Sequence, residues 1–151
     1  MRLGAVGRGE TMKLLVLPIG KIRSRPIAEL AADYAERLGH YAGLHVIPCR
    51  DEAQLLSNLR PGDHVVLLDA GGRERSSEDL AKFLSDHRMR GTKRMCFIIG
   101  GPEGVEARSR SRADSSMSLS RMTFPHELAQ AILLEQLYRA FTIIKGEPYH
   151  K

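Results

Sequence analysis

Lys93–Gly104 reads KRMCFIIGGPEG. An apolar run too short for a helix ends in a Gly-Gly-Pro-Glu-Gly turn, the mark of a buried strand bounded by turn residues. KLLVLPIG at Lys13–Gly20 reads the same way, closed by Pro18 and Gly20. HVVLLD within Asp63–Asp69 is apolar without alternation, which predicts a central strand covered on both faces. Leu44–Cys49 is a further strand. Helical stripes lie between these runs. Ile27, Leu30, Ala31, Tyr34, Ala35 and Leu38 recur three and four apart, predicting a helix over 26–38 that Gly39 stops. Asp51 caps a short helix to Leu59, before Pro61-Gly62. Ala70-Gly71-Gly72 reads as a turn. Ser76 or Ser77 caps a helix carrying Leu80, Phe83, Leu84 and His87, with Glu78 and Asp79 in its first turn.

Beyond the glycine turn, residues 105–114 predict a short polar helix. Met117–Phe124 alternates and reads as a fifth short strand or an extended loop. Pro125 then opens a helix from His126 to Lys145 that is apolar almost all round and ends at Gly146. A helix of that kind is buried on more than one side, and in so small a chain a partner subunit is expected to supply the second. Strand and helix alternate throughout. The fold class is therefore α/β: a parallel sheet with helices on both faces.

The chain has 151 residues, 42% apolar and 27% charged. That suits one globular domain and excludes a disordered tail. No apolar run approaches the roughly 20 residues of a membrane span. Met1–Thr11 has no apolar signal core and no period, and reads as an extension before a domain over 12–151. Cys49 and Cys96 make neither a metal spacing nor a disulfide framework. No membrane and no metal are expected, and a cytoplasmic location is. A net charge of +5 permits an anionic partner without requiring one.

Ligands of such folds bind beyond the carboxyl ends of the strands. Here those ends carry Leu68–Gly71, Gly100–Gly104 and Leu119–Phe124. The glycine turn lets backbone approach a ligand closely, although a tight turn alone would also explain it. It is neither a dinucleotide fingerprint nor a phosphate loop. Asp69 is placed to anchor a hydroxyl or an amine, or merely to cap a turn. Arg108, Arg110, Arg112 and Arg121, then Lys21, Arg23 and Arg25, then Arg88, Arg90, Lys93 and Arg94, are groups able to meet phosphate, or ordinary solvated surface. His126 and His150 stand near these loops. No serine elbow or Cys/His pairing supports covalent catalysis.

Three segments together resemble the RlmH family, SPOUT-class methyltransferases of bacterial large-subunit ribosomal RNA. They are FIIGGPEG at Phe97–Gly104, SLSRMTFPHELAQAILLEQLYRAFTI at Ser118–Ile143, and GEPYHK at Gly146–Lys151. KLLVLPIGKI and VVLLDAGGRERSSEDLAKFL are similar to that family's opening and central blocks, so the resemblance covers about residues 12–151. The Cys49–Leu59 stretch is shorter than the family usually carries. The resemblance implies a C-terminal trefoil knot, a homodimer and S-adenosylmethionine as methyl donor. It implies methylation at N3 of a pseudouridine in 23S rRNA of the ribosome. By the same matching, Leu68, Gly100, Leu119, Ser120, Arg121, Met122, Thr123 and Phe124 are expected to hold the cofactor. Arg139, Tyr149 and His150 are expected at the methyl-transfer site. The alternative is a basic RNA-binding or ribosome-assembly module on the same scaffold without turnover.

Overall fold

The computed structural model describes residues 11–150, the side chain of His150 excepted. Five strands form one fully parallel sheet: β1 (Lys13–Pro18), β2 (Leu44–Val46), β3 (His64–Glu74), β4 (Arg94–Ile99) and β5 (Ser115–Ser118). Their order across the sheet is β2-β1-β4-β3-β5. Five helices connect or follow them: α1 (Arg25–Gly39), α2 (Glu52–Ser57), α3 (Ser77–Met89), α4 (Ala107–Arg112) and α5 (His126–Lys145). The alternation read from the sequence is present, with helices on both faces.

The two faces are unequal. One carries the larger core, where Leu14, Val16, Val66, Met95 and Phe97 meet Leu38 of α1, Leu84 of α3 and Leu137 and Phe141 of α5. The other is thinner. There Leu15, Leu17, Val65, Leu67, Cys96 and Ile98 meet Leu55 of α2, with Val105 and Ala113 at the edge. Full burial of each large apolar side chain is worth about 1.5–3 kcal/mol, so the three-helix face dominates stability.

Local chemistry sets the element ends. Ser24 and Asp51 cap α1 and α2 by accepting from the amides of Ile27 and Gln54. Ser76 and Asp79 form a reciprocal capping box on α3. Gly146 ends α5 at φ 73°, a left-handed conformation that glycine adopts without steric cost.

Two expectations change. Ala70-Gly71-Gly72 does not end β3: Leu68 and Arg73 both pair with Met117, so the residues between them swell outward as a bulge before pairing resumes to Glu74. Gly72 permits this because a Cβ there would lie 2.8 Å from the Met117 nitrogen. Of the two readings of 117–124, the strand is present only as β5 at Ser115–Ser118, two residues earlier than expected, and the residues after it form the extended loop. The loop is held partly by its own polar groups, with the Ser118 hydroxyl donating to the Ser120 carbonyl at 2.8 Å. Part of the α5 surface is covered within the chain. Every residue from His126 to Ile144 is buried or half-buried, and α1 and α3 flank the helix.

His64 and His87 stand with ring centroids 4.3 Å apart beside Phe83. Burial, then the neighbouring His64, pushes His87 down to about 4. Burial also lowers His64. Unfolding returns such a histidine to about 6.5, so the unfolded chain binds more protons between the two values. Stability is therefore full above about pH 6.5 and falls as the pH drops toward 4. Stability from denaturant titrations should be lower at pH 4.5 than at pH 7, by on the order of 2 kcal/mol from His87. His87→Gln, which does not titrate, should lose most of that difference.

Candidate functional site

The carboxyl edge of the sheet carries an open cleft of ≈ 670 Å³, counting its mouth. Three chain segments make it. The β3 bulge supplies Leu68, Asp69 and Ala70. The end of β4 supplies Ile99, Gly100, Gly101 and Gly104. The loop after β5 supplies Leu119, Ser120, Met122, Thr123 and Phe124, and His126 and Ala129 of α5 close the wall.

Gly100 shows why the loop has this shape. A Cβ on Gly100 would lie 2.7 Å from the Gly104 carbonyl carbon, with no flexible atom to yield. Gly104 itself turns at φ 82°, and its amide donates to the Gly101 carbonyl at 3.0 Å. The backbone is thereby folded onto itself, leaving peptide groups rather than side chains on the cleft wall. Leu68, Ile99, Leu119, Met122 and Phe124 supply the apolar part of the wall, and Asp69, Ser120, Thr123 and His126 the polar part. Met122 is 76% exposed and Phe124 37% exposed, so the outer lip is apolar and open.

The first turn of α5 is tied to this edge by Glu127. Its Oε1 accepts from the amides of Arg23 and Ser24, each at 3.0 Å. Those bonds, the Ser24 amide foremost, hold the carboxyl below the usual range. On the rim, Asp69 faces Arg110 of α4 at 3.4 Å.

Of the eight residues expected to hold a cofactor, Leu68, Gly100, Leu119, Ser120, Met122, Thr123 and Phe124 line this cleft. Arg121 does not. It points outward, where its guanidinium pairs with Glu74 at 3.5 Å on the exposed surface. Arg139 and Tyr149 meet each other but not the cleft. Arg139 donates to Glu135 Oε2 from Nε at 3.0 Å and from Nη2 at 2.6 Å. Its guanidinium lies 5.0 Å from the Tyr149 ring centroid. The Tyr149 hydroxyl donates to the same Glu135 oxygen at 3.0 Å and lies 3.2 Å from the Tyr34 hydroxyl. Burial, then the bonds to Tyr34 and Glu135, raises the Tyr149 phenol above its ordinary value, so it stays protonated. Arg139 lies ten residues beyond Ala129, about 15 Å along the helix axis. The His150 side chain lies outside the described residues.

Sequence reasoning missed Glu127, Glu135 and Tyr34. Glu135 precedes Arg139 by four positions, a spacing that puts opposite charges side by side on a helix and could have found it. Glu127 and Tyr34 act across more than a hundred residues and leave no local signal.

The family model described as predicted SPOUT methyltransferase matches residues 12–150. The ribosomal RNA large subunit methyltransferase H of Carboxydothermus hydrogenoformans is 40% identical over 159 aligned positions, covering 93% of this chain and all of the relative. The protein of the same name from Coprothermobacter proteolyticus is 43% identical over 140 positions, with 93% and 100% covered. Alignment length thus varies among relatives while coverage of this chain does not. Among solved structures, a probable methylase family protein from Haemophilus influenzae Rd KW20 superposes with a TM-score of 0.58 at 13% identity. The match covers 94% of this chain and 71% of the other, and shows a shared fold.

The two glycines of the turn should respond differently to a methyl group. Gly100→Ala drives a Cβ into backbone and should lower stability by about 1–3 kcal/mol. Gly101→Ala meets Ile19 at ordinary contact distances, its side chain at 3.4 Å and its carbonyl oxygen at 3.7 Å, and should stay within about 0.5 kcal/mol. Thermal unfolding of the two variants, side by side, checks this.

Proposed function

Since the chain belongs to the SPOUT methyltransferase family, we propose that it is a large-subunit ribosomal RNA methyltransferase with S-adenosylmethionine in the carboxyl-edge cleft. The observation that carries the assignment is the convergence in that cleft of seven cofactor positions from three separate segments. The fit is chemical as well as spatial. An adenosine needs an apolar slot with peptide groups at its edge, and Leu68, Leu119 and Met122 beside the folded Gly100–Gly104 backbone provide both. Asp69 is the carboxylate on the rim, suited to a ribose hydroxyl or the donor's ammonium group. When bound, the cofactor supplies an electrophilic methyl group.

We infer that the acceptor is N3 of a pseudouridine in 23S rRNA. That nitrogen carries a proton that must leave for its lone pair to attack. His150, with an ordinary value near 6.5, is the proposed acceptor of that proton. Arg139, held by Glu135, is the proposed partner for negative charge developing on the ring carbonyls. Tyr149, protonated, is suited to donate a hydrogen bond or to stack rather than to act as base.

The separation of Arg139 and Tyr149 from the cleft within one chain supports a homodimer, in which each chain's tail serves its partner's cleft. The half-buried apolar residues Leu128 and Ile132 on α5 and the apolar lip at Met122 and Phe124 are the proposed contact surface. Membership of the family is the support for the proposed C-terminal trefoil knot. We place residues 1–11 outside the domain, since the family model matches from residue 12.

Transfer of radiolabelled methyl from S-adenosylmethionine to large ribosomal subunits lacking the modification tests the reading. The unsubstituted chain should methylate them. His150→Ala should be slower by about 10²-fold or more with cofactor affinity retained. Absence of transfer, with RNA bound, would favour the non-catalytic module. Sedimentation at micromolar concentration should give a dimer, and a folded, active monomer would contradict the shared site.

A further inference from the structure

A second concavity lies at the opposite edge of the sheet, where β1 and β4 begin. Its lining includes Lys13, His45, Arg60, Lys93 and Arg94, with Leu15 and Ile47 at its floor, and no acidic residue. The strand register explains the grouping. Lys13 pairs with Arg94, and Leu15 pairs with His45 and Cys96, so these side chains share one face of the sheet. The helix above that face, α2, is only six residues long, and it leaves the first turn of the face open. Arg94 is neutralised by Asp63 at 2.9 Å. Lys13, His45, Arg60 and Lys93 are exposed. Among the described residues, none of those four forms an ion pair.

We propose that this groove binds the phosphate backbone of an RNA strand, as a docking site separate from the cofactor cleft. The inference rests on the ribosomal RNA reading above and extends it to a second contact. Three permanent cations and a histidine around an apolar floor match a chain that alternates anionic phosphate with ribose. The strands between groove and cleft are six residues long, about 20 Å. A structured RNA offering a nucleotide to one edge is large enough to reach the other. Backbone contacts of this kind set position and orientation and leave sequence choice to the cleft.

The test uses the full chain and three variants. The groove variant is Lys13→Gln/Arg60→Gln/Lys93→Gln. Its comparator, Lys82→Gln/Arg90→Gln/Lys145→Gln, removes the same charge from exposed positions elsewhere. The third variant, His45→Gln, asks whether the histidine contributes. Affinity for a protein-free 20-base-pair RNA duplex is read by fluorescence anisotropy across salt concentrations. Large ribosomal subunits are assayed by co-sedimentation and by KM in methyl transfer.

The groove variant should lose duplex affinity by about tenfold or more, with its salt slope shallower by about 2–3. Its KM for subunits should rise with kcat and S-adenosylmethionine affinity unchanged. The comparator should stay within about twofold, and His45→Gln should lose less than the triple variant. Equal losses in groove variant and comparator would overturn the proposal. So would an unsubstituted chain that does not bind the duplex. Loss on subunits without loss on duplex would also overturn it and point to a ribosomal protein instead. A chain that methylates normally while the groove variant keeps its KM refutes the groove alone. A chain that binds duplex through the groove but never methylates supports the groove and refutes the enzymatic reading.

Discussion

Backbone can occupy the place of a side chain only where that side chain is absent, and the carboxyl edge of this sheet depends on that fact twice. At Gly72 the β3 bulge folds against Met117 of β5, and at Gly100 the end of β4 folds against Gly104. The first contact pushes Leu68, Asp69 and Ala70 outward. The second exposes peptide groups where side chains would otherwise stand. Between them they open a cleft at an edge that a regular parallel sheet would fill with loop side chains. The loop after β5 closes it with apolar residues from a third part of the chain. Binding geometry here follows from the omission of two methyl groups.

The single long helix α5 divides the labour. Its first turn is fixed to the cleft edge through Glu127 and the amides of the β1–α1 connection. Two to four turns further on, Glu135 collects Arg139 and Tyr149 into a polar cluster roofed by Tyr34. A rigid rod thus separates the cleft-lining residues from Arg139 and its neighbour Tyr149. Catalysis by one chain alone would need the tail to cover that distance. In the proposed homodimer, exchange between two identical chains removes the need, and the apolar lip of the cleft is the proposed surface on which they meet. The thinner face of the sheet, under short α2, leaves basic side chains uncovered and is the natural place for charge-driven docking.

Legibility followed the range of the interaction. Bounds of α5 were readable because Pro125 and Gly146 act on their own neighbours. The caps at Asp51 and Ser76 were readable for the same reason. Leu68, Gly100 and the 119–124 loop were identifiable from motif order, and the structure brings nearly all of them together. The β3 bulge was not readable, since Ala70-Gly71-Gly72 has the composition of a turn whether or not pairing resumes with a strand forty-five residues later. The direction of the Arg121 side chain was not readable for a similar reason: backbone matching says which segment lines a cleft, while a long side chain follows the nearest countercharge, here Glu74. The distance of Arg139 from the cleft emerges only when the helix is laid out in space.

The central claim is that three strand-end segments act as one binding site for the methyl donor. Amide hydrogen exchange with and without S-adenosylmethionine tests it most directly. Protection should appear together in the β3 bulge from Leu68 to Gly72, in Gly100–Gly104 and in Leu119–Phe124, with the groove at Lys13 and Lys93 unaffected. Cofactor binding that protects none of these segments, or protects one while the other two exchange as before, would contradict the account.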